Sequence, residues 1–435
     1  MKQTYIQEVL DKGKGEFTIK GWIYRERKMK DKVFLVIRDS TNILQTIVKQ
    51  DNVNNSSWNN ASNVSMESAV EISGELKKDD RAPNGYELVV KKLDLIHKAD
   101  NFPIAKDNSP EHLLDNRHLW LRSRYMNSIL KIRSTVTGAI HEFFRSKGYH
   151  EFNPPIFTPA ACEGGSTLFE VKYFGKKVFL TQSWQLYAEA AIFSLEKVYD
   201  NAPTFRAEKS STSRHLAEFW MAEMEAAWMD YKECSEVAKE EVKFIIKKVL
   251  ENNKKELEVL GRDTKKLEVC LKKKFPTITY TKALKLLKEK CNHDVRWGKD
   301  LRTIEEKKLM ELYDVPIIVT HYPKEIMAFY KPVDATDKEA PGPVCKCFDM
   351  IGPEGYGELV GGSERDTDIE ALKKALKEEG EKIENYKFYL DLRKYGSVKH
   401  SGYGLGVERL VAWICGIDNV KDAIPFPRSI DRWTP

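Results

Sequence analysis

The sequence predicts an α+β protein in which an N-terminal β-barrel precedes a larger domain with a mainly antiparallel sheet. Five short strand patterns in about a hundred residues predict the barrel. Their number favours an OB fold, with a fragment of a β-sandwich as the structural alternative. Beyond residue 125, strand and helix patterns mix without a regular βαβ alternation, which favours an antiparallel sheet.

The barrel strands are recognised by their alternation of apolar and polar residues. They lie at 16–24, 32–39, 43–49, 68–76 and 85–97. Residues 51–66 are rich in Asn and Ser, which predicts a surface loop. Prolines and many charges in 101–125 predict a hinge, so residues 1–100 form the expected barrel domain.

The larger domain is expected over 126–435. Its first element is a helix over 126–149, because apolar residues recur there at helical spacing. A short strand follows over 150–159 and is ended by prolines. A helical insertion is predicted around 232–320, and its Lys- and Glu-rich beginning is typical of a solvated helical face.

Composition limits the classes of function. Lys and Arg total 71 and Asp and Glu total 66, so the net charge of +5 allows a nucleic-acid partner without requiring one. No stretch approaches the ~20 apolar residues of a membrane span, and the first residues lack the apolar core of a signal peptide. The seven cysteines are scattered without zinc-site spacing, so reduced thiols in the cytoplasm are expected.

Two charged residues in a predicted hairpin are suited to a nucleotide. Arg206 and Glu208 are two residues apart, so on a strand they face the same side. An arginine binds phosphate oxygens through two nitrogens, and a carboxylate accepts hydrogen bonds from an adenine amino group. The spacing alone favours an ordinary ion pair in a charged hairpin. Evidence for a nucleotide site must therefore come from other segments of the chain.

Two later segments favour the nucleotide. Asp349 and Glu358 offer hard oxygen ligands for magnesium, and Arg365 ends the same segment. Arg409 follows a run of glycines that has neither the Rossmann spacing nor a P-loop lysine. Three arginines and a carboxylate pair on separate segments fit a polyphosphate with its metal ions.

These segments resemble the signature motifs of the class II aminoacyl-tRNA synthetases, subgroup b. The helix and strand over 130–155, the Phe-Arg-x-Glu hairpin over 205–225 and the glycine run over 402–409 occur in the order of that family. The resemblance implies a seven-stranded antiparallel sheet, ATP bound in a bent form, and Mg²⁺. It also implies a homodimer formed through 130–155.

The resemblance assigns ATP contacts to eight residues. They are Arg206, Glu208, Arg214, His215, Phe219, Glu358, Gly406 and Arg409. Arg206 is expected to hold the α-phosphate and the substrate carboxylate, and Arg409 is the second catalytic residue. Phe219 and Arg409 are expected to sandwich the adenine. Asp349 and Glu358 are the implied ligands of magnesium.

Five residues form the predicted amino-acid pocket. They are Glu163, Gln185, Glu189, Glu223 and Arg365. Aspartate-specific members of the family carry a lysine at the position of Ala188, where it pairs with the substrate side chain. Without that lysine a buried aspartate side chain has no partner, which is costly, so asparagine is expected instead. Its amide is expected to donate to Glu189 and to accept from Arg365.

The barrel is expected to bind the anticodon loop of tRNA(Asn). OB folds bind single strands through aromatic stacking and a basic rim. The resemblance assigns the central anticodon base to Phe34 and Gln45, and Arg25 lies among the basic residues nearby. The alternative places Phe34 in the barrel core.

The implied activity is ATP-dependent ligation of L-asparagine to tRNA(Asn). Two other enzymes are alternatives: an aspartyl-tRNA synthetase of relaxed specificity, and a related ligase that makes asparagine without tRNA. A tRNA-binding relative without enzymatic activity is the alternative from a different class. It would be expected to lose Arg206, Glu358 or Arg409, and all three are present.

Overall fold

Two units make up the chain, Met1–Asn116 and Arg117–Pro435. The structure is a computed structural model, and it describes residues 4–105, 107–163, 167–209, 212 and 214–435. The division between the units falls within 101–125, the segment that the sequence predicts as a hinge. Among the described residues, no helix is both long and apolar enough to cross a membrane.

A closed barrel forms the first unit. Its strands are β1 (Gly15–Lys28), β2 (Lys32–Arg38), β3 (Ile43–Lys49), β4 (Ala69–Lys78) and β5 (Tyr86–His97), paired in the order β1-β2-β3-β5-β4. Its helices are α1 (Ile6–Lys12), α2 (Asn55–Asn63) and α3 (Pro110–Asp115). In β2, Val33, Leu35 and Ile37 point into the barrel core while the residues between them remain accessible. The predicted OB fold is confirmed.

Helix α2 corrects the prediction of a surface loop over 51–66. The Asn54 side chain caps this helix by accepting a hydrogen bond from the Ser57 amide at 2.8 Å. Ser57 Oγ in turn accepts from the Leu93 amide of β5 at 3.0 Å, and Ala61 is buried against the barrel. Short polar residues therefore begin the helix and attach it to the sheet, a role that composition does not show.

The second unit contains most of the secondary structure. Its strands are β6 (His150–Glu151), β7 (Phe157–Thr158), β8 (Glu170–Tyr173), β9 (Lys176–Leu180), β10 (Lys197–Phe205), β11 (Glu218–Ala227), β12 (Thr277–Thr279), β13 (Ile317–Thr320), β14 (Val333–Asp334), β15 (Val344–Cys345), β16 (Cys347–Gly352), β17 (Gly357–Glu364) and β18 (His400–Gly406). Its helices are α4 (Arg117–Trp120), α5 (Arg124–Ser146), α6 (Gln185–Leu195), α7 (Tyr231–Asn252), α8 (Lys254–Leu260), α9 (Lys265–Lys272), α10 (Tyr280–Cys291), α11 (Thr303–Met310), α12 (Ile369–Glu378), α13 (Lys387–Asp391) and α14 (Val407–Cys415).

The main sheet of this unit has eight described strands, in the order β12-β13-β16-β17-β18-β11-β10-β6. Its inner pairs are antiparallel, and the outermost pair at each edge is parallel. The predicted α+β fold with a mainly antiparallel sheet is confirmed, with eight strands where seven are expected.

Two helices bury one face of this sheet. Helix α5 matches the predicted first helix, and its apolar residues join those of α7 and β18 in the largest core. The Lys- and Glu-rich region is helical as predicted, but α7 is more than a solvated helix because Val242, Ile245 and Val249 are completely buried. The opposite face of the central strands remains available for the site.

Candidate active site

The strand register places the predicted motifs side by side. Phe219 of β11 lies opposite Thr204 of β10, and Glu223 lies opposite Gly404 of β18. Because strand residues alternate between faces, the glycines of β18 share the face of Phe219 and Glu223. Tyr403 and Leu405 point the other way, into the core.

One pocket of about 220 Å³ brings together the residues predicted to contact ATP. All eight line it: Arg206, Glu208, Arg214, His215, Phe219, Glu358, Gly406 and Arg409. They come from the loop after β10 and from β11, β17, β18 and α14. The structure therefore joins segments that are far apart along the chain, as a binding site requires.

Arg206 and Glu208 lie directly after β10 rather than within a strand. Their charged groups are 3.9 Å apart, and the Arg206 guanidinium lies 5.5 Å from the centre of the Phe219 ring. Arg206 Nε is buried without a hydrogen-bond partner among the described residues. A buried donor without a partner is costly, so an anionic ligand suits this position.

The loop after Arg206 contributes two further residues to the pocket, Arg214 and His215. Arg214 Nη1 is 3.4 Å from the Glu306 carboxylate, and Arg214 Nη2 donates to the Gly355 carbonyl. His215 pairs through Nδ1 with the Thr212 hydroxyl at 2.5 Å. Burial lowers the pKa of His215, and the charges of the three pocket arginines lower it further, although Glu208 acts in the other direction. The histidine is therefore suited to act as a neutral hydrogen-bonding group, and Arg214 is the positive group that suits an outer phosphate.

The predicted metal ligands converge on Gly361. A Cβ atom there would lie 2.7 Å from Glu358 Oε1 and 3.6 Å from Asp349 Oδ1. Burial and the charge of Glu358 hold the pKa of Asp349 well above its usual value, although Lys331 and Tyr322 act in the other direction. Two crowded carboxylates are the donor set that a hard divalent cation stabilises, so these residues fit magnesium.

Two residues of the predicted amino-acid pocket, Glu163 and Glu223, have polar partners. The Tyr330 hydroxyl donates to Glu163 at 2.5 Å. Glu223 accepts from the Ser183 hydroxyl at 2.6 Å and from the Trp184 amide at 3.1 Å. Burial raises the pKa of Glu223 to about 8 in spite of these bonds. A substrate ammonium group would stabilise the ionised form of such a carboxyl.

Glu189, predicted to accept from the amide of the substrate side chain, already has partners within the protein. Glu189 is completely buried and accepts from Arg393 at 2.5 Å and His400 at 3.0 Å, while Gln185 donates to its other oxygen at 3.0 Å. Burial favours the neutral form, but these cationic partners prevail and lower the pKa of Glu189. Both oxygens of Glu189 therefore have hydrogen-bond partners in the protein itself.

Arg365 pairs with Glu225, a residue that the sequence analysis did not select. Glu225 is two positions after Glu223 on the same strand, so it faces the same pocket. The spacing of two residues from Glu223 could therefore have identified Glu225 as a pocket residue from the sequence. No motif marks Arg393, and its contact with Glu189 depends on the packing of α13 against α6.

The barrel has a separate surface groove of about 430 Å³. It is lined by Arg25, Glu26, Arg27, Phe34, Val36, Gln45, Asp79 and Arg81. The three residues predicted to contact the anticodon are therefore neighbours, and Gln45 donates to Glu87 at 2.7 Å. Phe34 is partly accessible and lies outside the barrel core, which excludes the alternative of a core position.

Comparisons with known families agree with both units. Residues 17–96 match the OB-fold nucleic acid binding domain. Residues 109–430 match the family described as tRNA synthetases class II (D, K and N).

Two curated relatives match almost the whole chain. The asparagine–tRNA ligase of Thermoplasma acidophilum is 45% identical over 418 residues, which is 96% of each protein. The ligase of Thermococcus kodakarensis is 45% identical over 434 residues, covering 100% of this chain and 99% of the relative.

Solved structures give the same result. Asparaginyl-tRNA synthetase from Pyrococcus horikoshii complexed with asparaginyl-adenylate has a TM-score of 0.95 and 44% identity, with 100% of both chains covered. The Entamoeba histolytica enzyme in complex with asparaginyl-adenylate has a TM-score of 0.86 and 28% identity, with 97% of both chains covered. From its sequence motifs, pocket and full-length relatives, the chain belongs to the class II tRNA synthetases of the D, K and N group.

Proposed function

We propose that this protein is an asparagine–tRNA ligase that activates L-asparagine with ATP and transfers it to tRNA(Asn). The pocket that unites all eight predicted ATP residues carries the proposal. Full-length relatives of 45% identity with this activity support it. An aspartyl enzyme of relaxed specificity is the weaker alternative, because the position of the pairing lysine is the buried Ala188.

In the first step the asparagine carboxylate attacks the α-phosphorus of ATP and pyrophosphate leaves. A carboxylate is already a nucleophile, so the protein contributes position and charge rather than a base. Arg206 is assigned to the α-phosphate, which would offer an acceptor to its buried Nε, a group with none among the residues that the structure describes. Arg214 and His215 are assigned to the outer phosphates, and Glu208 to the adenine amino group.

Asp349 and Glu358 are the residues that would hold magnesium. Bound there, the ion supplies positive charge to the phosphate oxygens. Phe219 offers a ring face for the adenine, and Arg409 offers the second surface of the sandwich. Arg409 also donates to the Glu358 carbonyl, which fixes the α14 side of the pocket relative to β17.

The side chain of asparagine is assigned to the pair formed by Arg365 and Glu225. This pair presents both a donor and an acceptor, which match the oxygen and the NH₂ group of a carboxamide. An aspartate side chain would instead bring an additional negative charge towards Glu225. Glu189 is assigned a supporting role, in which it holds Gln185 and Arg393 in position.

The second step is attack of the terminal ribose hydroxyl of tRNA(Asn) on the adenylate, which releases AMP. The barrel groove is assigned to the anticodon, with Phe34 as a stacking surface, Gln45 as a hydrogen-bonding group and Arg25 on the basic rim. All seven cysteines are free, which supports the cytoplasmic location that we propose.

A homodimer through 130–155 is also proposed. Beside this segment, Phe157, Tyr173 and Phe174 form an aromatic cluster, with ring centres 5.6 and 4.9 Å apart. Phe174 is 94% exposed within this single chain. An exposed aromatic cluster of this kind is typical of a surface that a partner covers.

Charging assays test the proposal. Transcripts of tRNA(Asn) and tRNA(Asp) are each incubated with ATP and either asparagine or aspartate, and the expected product is asparaginyl-tRNA(Asn) alone. Preferential activation of aspartate would support the aspartyl alternative. Formation of free asparagine from aspartate and ammonia would indicate the tRNA-independent ligase, and failure of pyrophosphate exchange with both amino acids would indicate a binding protein.

A further inference from the structure

We propose that Glu306, supplied by the helical insertion, is a positioning residue of the ATP site. It lies on α11 and contacts both the phosphate-binding Arg214 and the backbone of the metal ligand Glu358. The inference deepens the proposed function, since it assumes ATP as the substrate of this pocket. It gives the insertion around 232–320 a direct part in nucleotide binding.

The two oxygens of Glu306 have different partners. Oε1 accepts from the Glu358 amide at 3.0 Å, and Oε2 lies 3.4 Å from Arg214 Nη1. The side chains of Glu306 and Arg214 are 13% and 18% exposed, so solvent screens their attraction only partly. One carboxylate therefore connects the loop after β10 to the beginning of β17.

Gly357 makes this connection sterically feasible. A Cβ atom at this position would lie 2.6 Å from Glu306 Oε2 and 3.0 Å from Arg214 Nη1, and the glycine has a φ of +74°. On the other side, Arg214 Nη2 donates to the Gly355 carbonyl. The turn between β16 and β17 and the helix α11 thus hold the guanidinium from two directions.

The contacts of Glu306 explain how a carboxyl group can serve the phosphate end of the pocket. Burial and the charge of Glu358 raise the pKa of Glu306 to about 7, while Arg409 and Arg214 favour its ionised form. A free arginine on a loop loses much side-chain entropy when it binds a phosphate, whereas one already held by Glu306 loses less. We infer that Glu306 prepares Arg214 for the outer phosphates of ATP before the nucleotide arrives.

The first experiment measures the KM values for ATP and for asparagine by pyrophosphate exchange. Glu306→Ala is expected to raise the KM for ATP about tenfold or more while the KM for asparagine changes less than about twofold. Glu306→Gln retains the shape without the charge and is expected to lie between that variant and the wild type. Glu311→Gln, an exposed residue just beyond α11, serves as the matched control and is expected to behave as the wild type.

A double-mutant cycle with Arg214→Ala separates positioning from a general structural role. If Glu306 acts through Arg214, adding Glu306→Ala to Arg214→Ala changes the KM for ATP less than about twofold. Effects that multiply, or a KM for ATP that Glu306→Ala leaves unchanged, would overturn the proposal. So would equal increases of both KM values.

Two further readouts keep the test decisive. Thermal unfolding shows whether the Glu306→Ala protein is folded. If it is not, the KM for ATP is measured in Glu306→Gln instead. An unchanged KM for ATP in Glu306→Gln would overturn the role of the charge. The proposed function is refuted by a different result, namely that the wild-type protein does not activate asparagine. In that case the KM for ATP is measured with whichever amino acid supports pyrophosphate exchange. A wild-type protein that supports exchange with no amino acid would refute both the positioning role and the proposed function.

Discussion

Arg365 and Glu225 form an enclosed bidentate ion pair. The guanidinium donates to both carboxylate oxygens at 2.8–3.3 Å, and the two side chains are 4% and 2% exposed. A Cβ atom at Gly402 would collide with the Glu225 carboxylate, so this glycine of β18 leaves space for the pair. A buried ion pair seldom stabilises a fold more than apolar packing does, which favours a recognition role for this one.

Arg365→Lys should therefore impair asparagine activation far more than ATP binding. Lysine is a single point charge and cannot bridge both oxygens of Glu225 while also replacing the bond from Arg365 to Ser363 Oγ at 2.9 Å. We expect kcat/KM for asparagine to fall about 100-fold or more, with the affinity for ATP within about threefold. Pyrophosphate exchange and equilibrium nucleotide binding measure the two quantities.

The matched control is Lys387→Arg. Lys387 also pairs with a carboxylate, that of Asp391, at 2.6 Å, but its side chain is 77% exposed. Exposed pairs contribute little, so this variant should activate asparagine like the wild type. Similar losses in both variants would contradict a specific role for the enclosed pair.

Arg206→Ala should abolish most adenylate formation while the protein remains folded. The Nε of Arg206 is buried without a hydrogen-bond partner in the described part of the chain, and the α-phosphate gains negative charge as the asparagine carboxylate attacks. We expect the rate of asparagine-dependent pyrophosphate exchange to fall about 10³-fold. Circular dichroism and thermal unfolding check the fold, and near-normal exchange in a folded variant would refute the assignment.

Part of the proposed ATP site was predictable because three of its residues are close together along the chain. Arg206, Glu208 and Phe219 belong to one hairpin segment, and strand pairing alone brings its two arms together. Arg409 could be assigned to the same site because it follows the glycines of β18, and β18 lies next to β11 in the sheet. The family resemblance predicted the order of the motifs along the chain. Strand pairing in the sheet brings these motifs close together in space.

The partners of the buried carboxylates were not predictable. Glu189, Glu223 and Glu225 are of one residue type, and the sequence does not show which of them an arginine from another segment will reach. Arg365 follows β17 and reaches Glu225, whereas Arg393 approaches Glu189 from α13. These pairings depend on how separate elements pack, and charge patterns along the chain carry no information about that packing.

Phe34→Ala should weaken tRNA binding without affecting asparagine activation. The Phe34 ring lies in the barrel groove outside the core, so its removal deletes a stacking surface without leaving a cavity in the barrel. We expect the KM for tRNA(Asn) to rise about tenfold, since stacking contributes roughly 1–3 kcal/mol per base. Aminoacylation and pyrophosphate exchange measure the two effects.

Trp22→Ala is the control for this substitution. Trp22 is a 44% exposed aromatic residue of β1 that does not line the groove. Its replacement should leave the KM for tRNA(Asn) close to the wild-type value. An equal response of the two variants would mean that general barrel surface, and not the groove, determines the affinity.

Glu241 and Tyr403 predict an unusual pH dependence of stability. Glu241 of α7 is completely buried, and its Oε2 accepts from the Tyr403 hydroxyl at 2.7 Å. Oε1 has no hydrogen-bond partner among the described residues. Burial raises the pKa of Glu241 to about 8, in spite of the bond from Tyr403, compared with an ordinary value of 4.5 for the unfolded chain.

Between pH 4.5 and about 8 the folded protein therefore holds one proton more than the unfolded chain at this site. Stability must then fall as pH rises through that range, because deprotonation favours the unfolded state. Glu241→Gln removes this dependence. Its advantage over the wild type in the free energy of unfolding should grow by about 1–4 kcal/mol between pH 5 and pH 8.

Urea unfolding of both proteins at the two pH values measures this difference. Glu251→Gln at the end of the same helix is the control, because Glu251 is 51% exposed and its substitution should shift both curves little. Parallel pH dependence of Glu241→Gln and the wild type would show that Glu241 is ionised in the folded protein. Tyr403 lies between two glycines of β18, the strand beside the proposed ATP pocket, and its own side chain points into the core. The proton on Glu241 therefore stabilises the core directly behind that pocket.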